Sequence, residues 1–142
     1  MKRAACMEDL RQIAKRRLPK MFFDYVDGAA WTESTHIANM AELAAIKLNQ
    51  RVAIDVSGRS AQTNLLGQPS TLPLAMAPTG LTGVIWPNGE IRTMKACEAV
   101  GIPYCLSTVS ISSLEDIADV ASNPFWFQLY VIRDRDFIER LI

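Results

Sequence analysis

The sequence has few of the residues that build disulfide frameworks and histidine-rich metal sites. Its three cysteines, Cys6, Cys97 and Cys105, are widely spaced and form no C-x-x-C pair, which argues against a disulfide scaffold or a zinc site. A single histidine, His36, is too few for a histidine-rich metal centre. This cysteine usage is typical of a protein of the cytoplasm.

The sequence also lacks an excess of one charge and a long apolar run. Fifteen basic and fifteen acidic residues cancel without forming a block, so nucleic acid is not expected as a partner. The most apolar window, residues 71–86, is broken by prolines and glycines and is shorter than the roughly 20 residues of a membrane-spanning helix. Near the start, Glu8 and Arg11 interrupt any apolar segment, so no secretory signal is expected.

Helical patterns dominate the first 70 residues. Apolar residues recur at helical spacing from Met7 to Arg17, and again in an alanine-rich stretch from Trp31 to Leu48. Between them, the aromatic-rich stretch 20–30 follows Pro19, which either ends the first helix or begins another turn. Residues 49–70 lack this periodicity and contain two turn signals. We therefore expect an amino-terminal helical segment and extended connection over residues 1–70.

After residue 70, short apolar runs alternate with helical patterns. The predicted strands are 72–77, 102–107 and 125–131. The predicted helices are 90–100, one opening with a capping box of Ser112 and Glu115, and one capped by Asp134 that runs to Ile142. This order predicts an α/β protein with parallel strands. A complete (β/α)₈ barrel takes about 250 residues, so residues 71–142 would form at most its first three βα units, an incomplete barrel.

Ligands of such barrels bind at the carboxyl ends of the strands. There the sequence has the segment 77–80, then Ser107, then Gln128 and Tyr130, which alternation places on the inner face. Small side chains at Ala77 and Ser107 would leave space for a flat ring, with the Gln128 amide at its edge. Periodicity alone leaves another interpretation open, in which these are ordinary barrel-layer residues and Gln128 and Tyr130 bind each other or water.

Several motifs resemble those of the FMN-dependent L-2-hydroxy-acid dehydrogenases and oxidases. The amino-terminal motif of that family is similar to Leu18-Pro19-Lys20-Met21, Asp24-Tyr25 and Gly28-Ala29-Ala30. Its first three barrel strands are similar to Met76-Ala77-Pro78-Thr79-Gly80, Leu106-Ser107-Thr108, and Phe127-Gln128-Leu129-Tyr130 with Arg133-Asp134-Arg135. The resemblance runs from about Asp9 to the last residue and is specific in combination.

The resemblance implies a set of site residues for FMN and for a small 2-hydroxy acid. The cofactor-binding residues would be Ala77, Pro78, Thr79, Gly80, Ser107 and Gln128. The substrate carboxylate and reacting oxygen would be bound by Tyr25 and Tyr130. The family's histidine, arginines and flavin-adjacent lysine would lie beyond Ile142, so no catalytic residue is expected in this chain, and by itself it should be inactive.

The resemblance also implies an activity and partners for the whole protein. It would oxidise an L-2-hydroxy acid, L-lactate above all, to the 2-oxo acid and pass the electrons to a respiratory acceptor, as in bacterial L-lactate dehydrogenases. Two alternatives stay open: a glycolate or lactate oxidase that uses oxygen, and a half-barrel binding module without catalysis. Relatives suggest a homo-oligomer, in the cytoplasm or associated peripherally with the inner face of the cell membrane.

Overall fold

The computed structural model describes residues 4–141, so Met1–Arg3 and Ile142 lie outside the described residues. The chain divides between Ser57 and Gly58 into two compact units. Within residues 4–141, the first unit contains three helices, and the second contains the strands and four further helices. The second unit carries nearly all of the predicted site residues.

The first unit consists of α1 (Met7–Arg17), α2 (Lys20–Asp27) and α3 (Ser34–Ala45). The prediction of α1 is confirmed at both ends, and Pro19 precedes α2 as its N-cap, so it begins a second helix. The predicted helix 31–48 is too long. Trp31 and Glu33 have positive φ angles of 57° and 58°, a left-handed conformation in which a right-handed helix cannot start.

An ion pair joins the first two helices of this unit. The Arg11 guanidinium donates to both carboxylate oxygens of Asp27, at 2.5 and 2.8 Å. These hydrogen bonds lower the pKa of the Asp27 carboxyl. The contact is bidentate, which adds geometric specificity to the pairing of the two helices.

The second unit begins with a β-hairpin where the sequence predicts an extended connection. Strand β1 (Thr63–Leu65) pairs antiparallel with β2 (Gln68–Ser70). The two linking residues, Leu66 and Gly67, both have positive φ, at 49° and 85°. Such a two-residue turn matches the twist of hairpin strands, which explains why so short a hairpin forms here.

Two parallel strands follow, β3 (Cys105–Ser107) and β4 (Trp126–Gln128). The predicted strand 72–77 is reduced to one parallel bridge between Met76 and Tyr104. Prolines at positions 73, 78 and 103 provide no backbone N–H, which limits how far the ladder can extend. The predicted α/β class is confirmed. Residues 4–141 form two small two-stranded sheets, so the prediction of three βα units is not confirmed.

Helices α4 (Thr82–Ile85), α5 (Gly89–Val100), α6 (Leu114–Ala118) and α7 (Arg135–Leu141) complete the second unit. As predicted, α5 ends at Gly101, whose φ of 78° closes the helix in a left-handed conformation. The short helix α4 lies between residue 77 and α5, where no helix was predicted. No helix among residues 4–141 combines the length and apolarity needed to cross a bilayer.

The core of the second unit lies between β3 and the helices α5 and α6. It contains Met94, Cys97, Tyr104, Leu106 and Ile117, all buried. Tyr104 and Leu106 are two residues apart, so both point to the helices, and Cys105 and Ser107 point to the other face of the sheet. This alternation leaves Ser107 on the face away from α5 and α6.

The helix caps differ in one place from the prediction. The capping box of α6 consists of Ser113 and Asp116, one residue later than the predicted Ser112 and Glu115. Ser113 Oγ accepts from the Asp116 N–H at 3.0 Å, and Asp116 Oδ2 accepts from the Ser113 N–H at 2.9 Å. The predicted cap at Asp134 is confirmed, because its Oδ1 accepts from the Phe137 N–H at 3.0 Å.

We expect Ser113→Ala to lower the free energy of unfolding by about 1 kcal/mol, because an N–H at the start of α6 loses its acceptor. Urea-induced unfolding followed by circular dichroism measures the change. Ser112→Ala is the matched control and should shift stability by less than about 0.5 kcal/mol. A larger effect at Ser112 than at Ser113 would contradict this cap.

Candidate functional site

Side chains at the carboxyl ends of β3 and β4 are joined by hydrogen bonds. Ser107 and Gln128 are direct partners in the parallel register, and Ser107 Oγ donates to Gln128 Oε1 at 3.4 Å. Thr108 Oγ1 donates to the backbone carbonyl of Gln128 and accepts from the Tyr130 N–H at 3.1 Å. The backbone from residue 128 to residue 130 is therefore fixed to the end of β3.

The segment that follows the Met76 bridge lies beside these residues. A Cβ atom built on Gly80 would lie 2.4 Å from Val109 Cγ2 and 3.5 Å from Ser107 Oγ. Leu81 N–H donates to the Val109 carbonyl at 3.1 Å, which holds the two loops at this spacing. A side chain at position 80 would require Val109 to move, so the close approach of the two loops depends on glycine here.

The predicted site residues differ in exposure. Ser107 is buried and Gln128 half-buried, whereas the strip 77–79 is exposed. The exposed fractions of Tyr130 and Tyr25 are 54% and 68%, so neither is a buried aromatic residue. Tyr25 lies on α2 of the first unit, and its position over the site stays a prediction. The structure thus brings together Gly80, Ser107 and Gln128, with Tyr130 attached through its backbone.

This arrangement fits the edge and face of a flat heteroaromatic ring such as that of FMN. The exposed strip 77–79 has backbone and small side chains that a ring can lie against. Ser107 provides a hydroxyl, and Gln128 provides an amide whose Oε1 already bonds Ser107, so that its Nε2 can face a ligand acceptor. The residues present therefore fit a flavin ring, because they offer an open surface for its face and an amide donor for its edge.

Two residues beside this cluster were not assigned a role from the sequence. Thr108 was part of a motif, but its link to Gln128 and Tyr130 depends on the register of two strands. Glu90 is 1% exposed, and its Oε1 accepts from the N–H groups of Gly83 and Ile111 at 2.9 and 3.1 Å. No local signal distinguishes it, because a glutamate in the first turn of a helix is normally at the surface.

A cavity of about 370 Å³ lies at the other end of the strands. Its lining includes Gln68, Glu98, Tyr104 and Pro124, at the amino ends of β3 and β4. It contains none of the predicted site residues. Ligands of parallel α/β folds bind at the carboxyl ends, so we place the functional site there and not in this cavity.

Comparison with known proteins identifies the family. Residues 14–142 match the model of the FMN-dependent dehydrogenases. L-lactate dehydrogenase of Caulobacter sp. (strain K31) is 48% identical over 134 residues, which cover 94% of this chain and 35% of that protein. L-lactate dehydrogenase of Chromohalobacter salexigens is 45% identical, with 94% and 34% covered. The chain spans about a third of the length of these relatives.

Solved structures agree with this match. A soluble mutant of the membrane-associated (S)-mandelate dehydrogenase from Pseudomonas putida superposes with a TM-score of 0.84 at 41% identity, covering 90% of this chain and 37% of that one. A mandelate oxidase superposes with a TM-score of 0.87 at 32% identity, covering 97% and 41%. The resemblance seen in the sequence motifs is confirmed, and FMN is the cofactor of the matched family. This chain belongs to the FMN-dependent dehydrogenase family.

Proposed function

We propose that this chain forms part of the flavin site of an FMN-dependent L-2-hydroxy-acid dehydrogenase that oxidises L-lactate to the 2-oxo acid. The observation that supports this most directly is the convergence of Gly80, Ser107 and Gln128 at the strand ends. The names of the matched relatives, L-lactate dehydrogenases at 45–48% identity, favour L-lactate as the substrate. The electrons would pass to a respiratory acceptor, with the whole protein a homo-oligomer in the cytoplasm or peripherally bound to the membrane.

The same proposal gives the second unit its place in a larger fold. The Met76 segment, β3 and β4 lie in that order and run parallel, as the first three strands of a (β/α)₈ barrel would. Residues 71–142 would then belong to the barrel and residues 1–70 to the segment that precedes it. The TM-scores above support this architecture.

Each site residue has a proposed role, and for those of the second unit the position in the fold supports it. The backbone of residues 77–80 would lie against the ring, and Ser107 and Gln128 would bind its edge. Thr108 orients Gln128, because the Thr108 hydroxyl donates to the main-chain carbonyl of Gln128. Tyr25 and Tyr130 would bind the carboxylate and reacting oxygen of the substrate. FMN, when bound, accepts the two electrons released at the α-carbon.

Proton transfer is assigned to no residue of this chain. His36 lies on α3 of the first unit and corresponds to no catalytic position of the resemblance. Oxidation of a hydroxy acid needs a base near its hydroxyl and a cation for its carboxylate. The proposal therefore treats the chain as the part that binds the ring and orients the substrate.

We expect the intact protein that contains these residues to oxidise L-lactate with a quinone analogue as acceptor. Values of kcat/KM for L-lactate, glycolate and (S)-mandelate give the substrate order, with L-lactate highest. The control is the 142-residue chain alone, which should bind FMN weakly and show no turnover. No oxidation of any of the three acids would contradict the proposed reaction and favour a binding module.

Oxygen as acceptor is the second candidate, favoured by the likeness to a mandelate oxidase. Stopped-flow mixing of the reduced protein with air-saturated buffer and with the quinone analogue separates the two. Reoxidation that is faster with oxygen than with the quinone analogue would make the protein an oxidase.

We expect Gln128→Leu to weaken FMN binding about tenfold, because the hydrogen bond from Gln128 Nε2 to the ring edge is lost and similar volume is retained. Quenching of flavin fluorescence on binding to the apoprotein measures Kd. Gln68→Leu is the matched control, since the Gln68 amide donates to the Pro124 carbonyl at 3.4 Å at the amino ends of the strands. An equal loss of affinity in both variants would reject the role of Gln128.

Tyr130→Phe should raise KM for L-lactate about tenfold, because a hydrogen bond to a charged substrate is removed, and should leave the Kd of FMN unchanged. Steady-state kinetics and flavin fluorescence measure the two effects. Tyr104→Phe is the control: burial raises the pKa of Tyr104 to about 12, and this core residue should affect stability but not KM. An unchanged KM in Tyr130→Phe would remove Tyr130 from the substrate site.

A further inference from the structure

The buried carboxylate of Glu90 links two segments that flank the proposed flavin site, termed here the two loops: one of residues 80–83, which runs into helix α4, and one of residues 109–111 after β3. Its Oε1 accepts from Gly83 N–H, three residues after Gly80, and from Ile111 N–H, two residues after Val109. We propose that Glu90 is a positioning residue that fixes the spacing of these loops and thereby the surface presented to the flavin ring. The assignment rests on the proposed function, because it needs the flavin to bind beside Gly80.

The link through Glu90 adds to a direct contact between the loops. Leu81 N–H bonds the Val109 carbonyl, and the carboxylate joins the residues just beyond each of these positions. The contact of Gly80 with Val109 lies immediately next to this pair of links. If the carboxylate link is lost, the hydrogen bond from Leu81 N–H to the Val109 carbonyl is the one of these three bonds that remains between the two loops. The Gly80 backbone can then move relative to Ser107.

Gly83 leaves the space that the Glu90 carboxylate occupies. A Cβ atom at this position would lie 2.9 Å from Glu90 Oε2 and 2.9 Å from Ile111 Cβ. The carboxylate is thus enclosed between the two loops that it connects. Glycine at 83 and glutamate at 90 depend on each other, since a side chain at 83 would displace the carboxylate from its N–H donors.

The free energy of burying Glu90 indicates that its carboxylate serves to link the two loops and not merely to fill the space between them. Glu90 stands in the first turn of α5, where the helix dipole favours a negative charge, and hydrogen bonds to a carboxylate are stronger than those between neutral groups. However, its Oε2 makes no hydrogen bond to any residue from 4 to 141 although it is buried. Burying such an oxygen is costly, so an apolar residue would serve better if only volume mattered.

The test compares Glu90→Leu and Glu90→Gln in the intact protein. Leu fills the space without an acceptor, so we expect the Kd of FMN to rise about tenfold and hydrogen exchange at the Gly83 and Ile111 amides to accelerate. Gln keeps one acceptor oxygen but adds a buried, unpaired NH₂. It should therefore retain most of the amide protection and raise Kd by only about threefold.

Glu98 provides a matched control on the same helix. Its Oε1 also accepts from two backbone N–H groups, those of Ser122 and Asn123, at 2.6 and 3.1 Å. These bonds lie beside the cavity at the amino ends of the strands. Glu98→Leu should accelerate exchange at residues 122 and 123 and leave the Kd of FMN within about twofold of the original, because no bond near the flavin changes.

The outcomes separate this proposal from the proposed function. If the original protein binds FMN and Glu90→Leu binds it with unchanged Kd, the positioning role is wrong and the flavin site stands. If the original protein binds no FMN, both fail. Should Glu90→Leu not fold, Gly83→Ala gives the decision: a raised Kd and faster exchange at Ile111 support the role, and an unchanged Kd overturns it.

Discussion

The parallel pairing of β3 with β4 is the constraint on which the site depends. It makes Ser107 and Gln128 direct partners and brings Thr108 to the main chain of residues 128–130. Side chains alternate along a strand, so a shift by one residue would exchange the polar face for the apolar one. Leu106 of β3 is buried in the core beneath α5, which opposes that shift. The core thereby determines which face of the sheet can meet a ligand.

Features set by local chemistry were predictable from the sequence. The helix α1 was predicted at both ends from its apolar spacing, and α5 to within one residue, with Gly101 as its end. The predicted strands were longer than the observed ones. An apolar run does not show how many residues can pair with the neighbouring strand, and nearby prolines reduce that number because they lack a backbone N–H. The cap of α6 was displaced by one residue. Consecutive serines satisfy the same spacing rule, and only the backbone angles select Ser113.

The site was predictable in part for a related reason. Residues at the ends of neighbouring parallel strands meet whatever their distance along the chain, so strand order is enough to bring Ser107 and Gln128 together. Glu90 could not be found in this way, because its partners are backbone N–H groups of two loops and leave no trace in side-chain patterns. Tyr25 belongs to another unit, where alternation along a strand gives no information about its neighbours.

The parallel segments of the second unit have a consequence for synthesis on the ribosome. Met76 meets Tyr104, and Cys105 then meets Trp126, so each segment pairs with the one that left the exit tunnel just before it. The entropy cost of closing each loop depends only on the residues between neighbouring segments, and it grows slowly with their number. The sheet can therefore assemble vectorially, adding one edge at a time, and a nascent chain need not wait for its carboxyl terminus before the first pairings form.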